Sequence, residues 1–304
     1  MARREPITAP PATQPRYSLL TAAGANGATP MDVRWGRGVA WTPETCGGGG
    51  VRPADCNVDS QRDLPPRSGL TFSDPFYVWA VDACDSQGYT SRDWQGRARR
   101  ALEATQSWYV AHELWTGATT LQQVDDGATT SAAPFLAATD QVVDEQLPAA
   151  QAIGVAEALA MDQAKGRRIM VHVPVDVLER ATTNGGYLLR DAGGVITTMM
   201  GNIVVADAGY PGTGPVGADA TVDTQPAGSD RQWIYTSQLV QVRLGEVELL
   251  PGTLTAAQDL AAALDRGTND LTVWAQRLAL YQLDPCARIA LSTDVDARPS
   301  ITNL

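Results

Sequence analysis

Lysine is almost missing from this sequence: Lys165 is the single one in 304 residues, and the other 22 cations are all arginine. Histidine is nearly as scarce, so catalysis by an imidazole base has only two candidates, His112 and His172. Positive charge as a whole is in deficit. Twenty-three basic against 34 acidic side chains give a net charge of −11, which argues against a general nucleic-acid-binding surface because an acidic chain repels phosphate. No apolar run approaches the roughly 20 residues a membrane span needs. The opening stretch MARREPITAPPATQP has a basic start but no apolar core behind it, so neither a membrane anchor nor a signal peptide is expected. The four cysteines, at 46, 56, 84 and 286, follow none of the close-pair spacings of metal ribbons or redox motifs. Cys46 and Cys56 flank the run Gly47 to Gly50 and could meet across a flexible loop, although a large intracellular chain ordinarily keeps such thiols reduced.

Catalytic motifs are missing too. There is no G-x-S-x-G elbow, S-x-x-K, Walker loop or calcium-loop spacing. Gly212, Gly214 and Gly217 have the G-x-G-x-x-G spacing of a dinucleotide fingerprint. Pro215 sits inside it, however, and residues 218–225 offer no amphipathic helix whose N-terminus could hold a pyrophosphate. His112 precedes Glu113 in HELWT, which lacks the second histidine of a zinc-protease helix. His172 lies between Val171 and Val173 in an apolar strand, the setting of a hydrogen-bonded core histidine. The adjacent carboxylates Asp125 with Asp126 and Asp144 with Glu145 fall on loop or helix-edge segments, where a solvated face is the default. No catalytic, cofactor-binding or metal-binding residue is assigned, and no cofactor is expected.

What is present is the arrangement of a soluble α+β chain, 44% hydrophobic and large enough for one big domain or two ordinary ones. Residues 1–37 carry five prolines without helical or strand periodicity and read as an extended arm with little core of its own. Arg3, Arg4, Arg16, Arg34 and Arg37 oppose only Glu5 and Asp32 there, a local net of +3. Residues 38–90 hold the four-glycine run and the strand-like FSDPFYVWAV, residues 72–81, broken by Pro75; a long hairpin or excursion from the core is expected. A long helix should open at Ser91 or Asp93 and stop at Gly117. Trp94, Ala98, Ala101, Thr105, Trp108, His112 and Trp115 recur along one face, with Leu102 and Tyr109 beside them. Further helices are expected at 148–165, 176–181 and 255–264, and strands at 168–173, 195–206, 232–244, 271–283 and 287–293.

Two stretches carry a resemblance. Residues 269–287, Asn-Asp-Leu-Thr-Val-Trp-Ala-Gln-Arg-Leu-Ala-Leu-Tyr-Gln-Leu-Asp-Pro-Cys-Ala, place a polar turn, a strand, an Arg-Leu-Ala core and a Pro-x-Ala lead into a final strand. This pattern resembles the closing strands of tailed-phage major capsid proteins of the Hong Kong 97 type. Residues 74–117 look like a segment of actinobacterial phage capsid proteins.

The resemblance implies a Hong Kong 97 type fold with an N-terminal arm (1–37), an extended loop (38–90), a spine helix with the peripheral domain (91–166), an axial domain (167–240) and return strands of both domains (241–304). It implies a major capsid protein assembling in the host bacterial cytoplasm, as hexamers and pentamers, into an icosahedral virion shell around double-stranded DNA held without sequence specificity. A separate decoration or scaffolding protein would be a further partner. Some members join subunits covalently through a lysine of the extended loop; residues 38–90 contain none, so no such crosslink is expected. Arg3, Arg4, Arg16, Arg34 and Arg37 are the candidate intersubunit contacts, since a guanidinium fork holds carboxylates in bidentate geometry. The alternatives are an encapsulin-like nanocompartment shell and a soluble enzyme using His172 or the Asp125/Asp126 pair.

Overall fold

The computed structural model describes residues 15–24, 38–43, 70–85, 93–125, 134–139, 141–183, 190–191, 194–216, 231–251, 264–265 and 270–294. In chain order these form α1 (Leu19–Ala22), β1 (Val39–Trp41), β2 (Thr71–Ser73), β3 (Phe76–Asp85), α2 (Trp94–Thr116), α3 (Ala118–Asp125), β4 (Val142–Pro148) and α4 (Ala149–Gln163). They continue with β5 (Met170–Val173), α5 (Val175–Thr183), β6 (Arg190–Asp191), β7 (Ile196–Thr197), β8 (Ile203–Ala206), β9 (Arg231–Ser237), β10 (Gln241–Leu244), β11 (Glu248–Leu250), β12 (Leu264–Asp265), β13 (Asp270–Gln282) and β14 (Ala290–Asp294).

Two sheets carry the architecture. The longer is organised on β13, whose 13 residues span roughly 44 Å. β3 lies antiparallel along one edge, and β10, β11 and β12 follow one another along the other: Trp274 faces Val81 on one side and Leu250 on its opposite side. The second sheet has the order β4-β14-β9-β5-β8-β7-β6, with parallel pairs at β14/β4 and β5/β8 and antiparallel pairs elsewhere. Its central strands β5, β8 and β9 are buried along their whole length apart from Arg231 at the start of β9. α4 and α5 cover one face over Val171, Val173, Val204 and Ile234, while Met170, Val205, Trp233 and Tyr235 join the core shared with α2. Burial on both faces explains why RIMVHV and NIVVA read as nearly continuous apolar runs.

The long helix runs Trp94–Thr116 with Asp93 as N-cap, its side chain accepting from the Gly96 N–H, and it ends at Gly117 in the left-handed region. Its apolar stripe follows the spacing at both ends, where Trp94, Ala98, Leu102 and Trp115 are buried, but not in the middle: Thr105, Trp108 and Tyr109 are exposed, whereas Gln106, Val110, Ala111 and Leu114 are buried. The buried face turns because the helix has two partners. Arg97 and Gln106 bond to Asp82 of β3 and Arg277 of β13, and beyond them Trp115 packs on Tyr210 and on Tyr235 of β9.

Other expectations shift in the same way. Residues 195–206 divide into β7 and β8 around a turn, and 232–244 divide into β9 and β10 because the chain leaves one sheet for the other. The 148–165 helix begins one residue later, at Ala149, with Pro148 as its N-cap and the last residue of β4. α3 and β4 had no distinct periodic signal. Residues 15–24, expected to carry little core, bury Leu19 and Leu20 completely or nearly so. The expected helix at 255–264 lies, apart from Leu264, outside the described residues, as does the four-glycine run. Among the described residues no helix is long and apolar enough to cross a membrane.

Gly117 (φ 61°) tests how this helix stop is built, because a Cβ there would sit 2.3 Å from the Phe135 ring. Gly117→Ala is expected to lower stability by more than about 1 kcal/mol through left-handed strain and this clash, measured as a reduced denaturation midpoint.

Candidate assembly surfaces and buried polar anchors

His172 is fully enclosed between β8 and β9. Its Nδ1 lies 2.8 Å from the Tyr210 hydroxyl and its Nε2 2.8 Å from Ser237 Oγ. Ser237 Oγ donates to the Gln238 carbonyl at 2.7 Å, so its proton is committed and it accepts from His172 Nε2–H. Nδ1 then accepts from Tyr210, whose hydroxyl burial and the neighbouring Asp207 hold in the protonated form. Burial pushes the His172 pKa down to about 3, keeping the ring neutral. Both nitrogens are used by the fold, and neither reaches a surface where a substrate could bind.

The remaining sequence candidates are scattered. His112 is half-buried on α2, its ring stacked on Trp108 at 5.1 Å; burial lowers its pKa, and Glu113 opposes that shift. Asp144 and Glu145 lie on strand β4 instead of a loop or helix edge, and Asp144 pairs with Arg231 at 2.9 Å. Asp125 ends α3, and Asp126 is outside the described residues. Gly212 and Gly214 let the 207–216 segment lie on β9: a Cβ on Gly214 would come within 2.6 Å of Trp233 Nε1. Gly217 is outside the described residues, and no helix follows this segment within them. An open groove of about 450 Å³ is lined by Trp41, Arg168, Gln238, Gln241 and Gln282 among others, and by neither histidine. Among the described residues, no three His, Cys, Asp or Glu side chains are grouped to hold a metal.

Of the candidate contact arginines only Arg16 is described; its guanidinium lies 5.3 Å over the Tyr17 ring. Arg3, Arg4, Arg34 and Arg37 are outside the described residues, as are Cys46 and Cys56. Cys286 is disulfide-bonded, so the thiols of this chain do not all remain reduced. Lys165 sits just past α4 with positive φ and an exposed side chain 3.8 Å from Asp162.

Sequence reasoning missed the buried carboxylates, which are anchors. Asp207 accepts from the Leu19 N–H, Ser107 Oγ and the Gly209 N–H, each at 2.9 Å, and so ties α1, α2 and the end of β8 together. Glu113 accepts from the N–H groups of Thr119 and Thr120 and so caps the start of α3 from the preceding helix. Glu157 of α4 accepts from Thr198 Oγ1 and Asn202 Nδ2 across the turn between β7 and β8. A lone acid inside an apolar pattern, as in VAEALA (Glu157) or VVADAG (Asp207), is the only signal, and it does not name the partner.

The neutral His172 makes a signed prediction. Its folded pKa lies below the unfolded value of 6.5, so between pH 6.5 and about 3 the unfolded chain binds the extra proton and stability falls as pH falls. Between pH 6.5 and 5 this costs about 2 kcal/mol. Denaturant titrations at pH 7 and 5 should show that loss in the native chain and a flatter dependence in His172→Gln.

No protein-family model matches the chain, and no curated protein does. Solved structures do. The capsid of Ralstonia phage GP4 is 12% identical with a TM-score of 0.52, the match covering 99% of this chain and 97% of that one. The capsid of an empty GTA particle is 10% identical with a TM-score of 0.50, covering 98% and 96%. At such identities the likeness lies in the path of the backbone, and over nearly its whole length this mixed α and β chain has the fold of those capsid chains.

Proposed function

We propose that the chain is a major capsid protein of the Hong Kong 97 type, a structural subunit and not an enzyme. Many copies, arranged as hexamers and pentamers, would form an icosahedral virion shell around double-stranded DNA, assembled in a bacterial cytoplasm. The observation that carries this reading is the end-to-end likeness of fold to the capsid of Ralstonia phage GP4. The structural roles of both histidines support it, since His172 is fully buried and hydrogen-bonded at both nitrogens and the half-buried His112 is stacked on Trp108.

In this reading residues 1–37 are the arm, 38–90 the extended loop, 91–166 the spine helix and peripheral domain, 167–240 the axial domain, and 241–304 the return strands. The arm is fastened to the subunit at Leu19, whose N–H bonds to Asp207. Net acidity suits a lumen that lets DNA slide during packaging. Arg3, Arg4 and Arg16 then serve neighbouring subunits, whose carboxylates are plentiful on a chain of charge −11.

Light scattering behind a sizing column, followed by negative-stain imaging, tests the shell. Megadalton particles, or rings that close into them, are expected, and a compact monomer under all assembly conditions overturns the reading. Shells filled with protein instead of DNA would identify a nanocompartment. Replacing Arg3, Arg4 and Arg16 by alanine should reduce shell yield while leaving DNA per completed shell unchanged; the reverse pattern would assign the arm to DNA.

A further inference from the structure

The two faces of the sheet built on β13 have different company. α2 covers one, over Phe76, Val78, Val273, Ala275 and Tyr281, all buried. On the other, Tyr77, Trp79 and Val81 of β3 are 53, 49 and 41% exposed, Trp274 of β13 is 40% exposed and Leu250 of β11 is 46% exposed. Register makes these side chains one patch. Val81, Trp274 and Leu250 stand opposite one another across three strands, and the Trp79 ring lies 5.0 Å from that of Trp274. Rings of this kind carry roughly 150 to 250 Å² each, so the five residues leave on the order of 450 Å² open, at the level that marks an interaction site.

We propose that this face docks a second copy of the chain, with Trp79 and Trp274 as the anchors of the contact. The proposal rests on the shell reading and names one of its subunit interfaces. Charge selects the occupant. Copies with a net charge of −11 repel one another, and contact is least costly through a surface poor in charge. In the three cross-strand rows Tyr77/Leu278, Trp79/Gln276/Glu248 and Val81/Trp274/Leu250, Glu248 is the one carboxylate, already accepting from Gln276 at 3.1 Å; the next acids in this register, Asp85 opposite Asp270, stand two rows further along. The composition is that of an interface centre, with tryptophan and tyrosine in place of charge. Area selects the setting. On the order of 450 Å² falls short of the roughly 800 Å² per partner in a stable pair, so the face stays open on a free subunit and is covered where many contacts act together. A single-stranded nucleic acid would also stack on such rings, but it needs a cationic groove that these rows do not provide.

Val81→Cys reports the occupant directly, because its thiol should react with a maleimide on dissociated subunits and become at least tenfold slower in assembled shells, read by peptide mass. The double substitution Trp79→Ser with Trp274→Ser should leave the far-UV circular dichroism and thermal transition of the subunit intact. It should raise the protein concentration needed for assembly at least tenfold, with Met200→Ser, exposed on a turn outside these rows, as the control that assembles normally. Native shells that form while Val81→Cys stays equally reactive, or that form equally well with the double substitution, overturn this contact and leave the shell reading standing. Protection that requires a different added protein also overturns it, and makes that protein the occupant. A native chain that forms no shells overturns both.

Discussion

The burial of α2 against two differently placed sheets is the constraint on which the rest of this structure depends. Over its first half the helix answers to β3 and β13, through Arg97 with Asp82 and Gln106 with Arg277. Over its second half it answers to the other sheet, where Trp115 meets Tyr210 and Tyr235 and donates to the Thr213 carbonyl at 3.1 Å. A helix of 23 residues, roughly 35 Å long, reaches from one core into the other, and this is why two sheets with separate strand orders form a single body.

Polar groups settle how tightly that body closes. Asp207 is 3% exposed and satisfied by three donors from separate parts of the chain, so it joins residues near the N-terminus to the middle of α2 without leaving an unpaired buried charge. Glu113 and Glu157 do the same for α3 and for the turn before β8. His172 is the neutral counterpart, with one nitrogen donating and the other accepting. These are the residues a search for catalysis would single out, and their partners explain them as structure.

The surfaces divide by the same logic. Where α2 lies on the β13 sheet, apolar side chains are sealed, and on the opposite face side chains of the same kind are left to solvent. The alternation of β3, with Phe76 and Val78 in and Tyr77, Trp79 and Val81 out, leaves this strand apolar on both sides although one side is exposed and has no cover among the described residues. The fold itself is shared with capsid chains.

Local chemistry was enough to place the long helix that opens at Asp93 and stops at Gly117, the helix that follows Pro148, and strands at 168–173 and 271–283, observed at 170–173 and 270–282, because caps and apolar runs act within a few residues. The capsid resemblance was also legible, in the closing-strand pattern of residues 269–287. Only the tertiary structure decided which face of α2 is buried, that Leu19 and Leu20 belong to the core, that Asp207 is an anchor, and that Trp79 and Trp274 share one open face. Each of these depends on a partner many residues away, such as Leu19 with Asp207 or Trp79 with Trp274. Sequence periodicity records that a side chain wants cover, but not which distant element supplies it or whether that cover comes from the same chain.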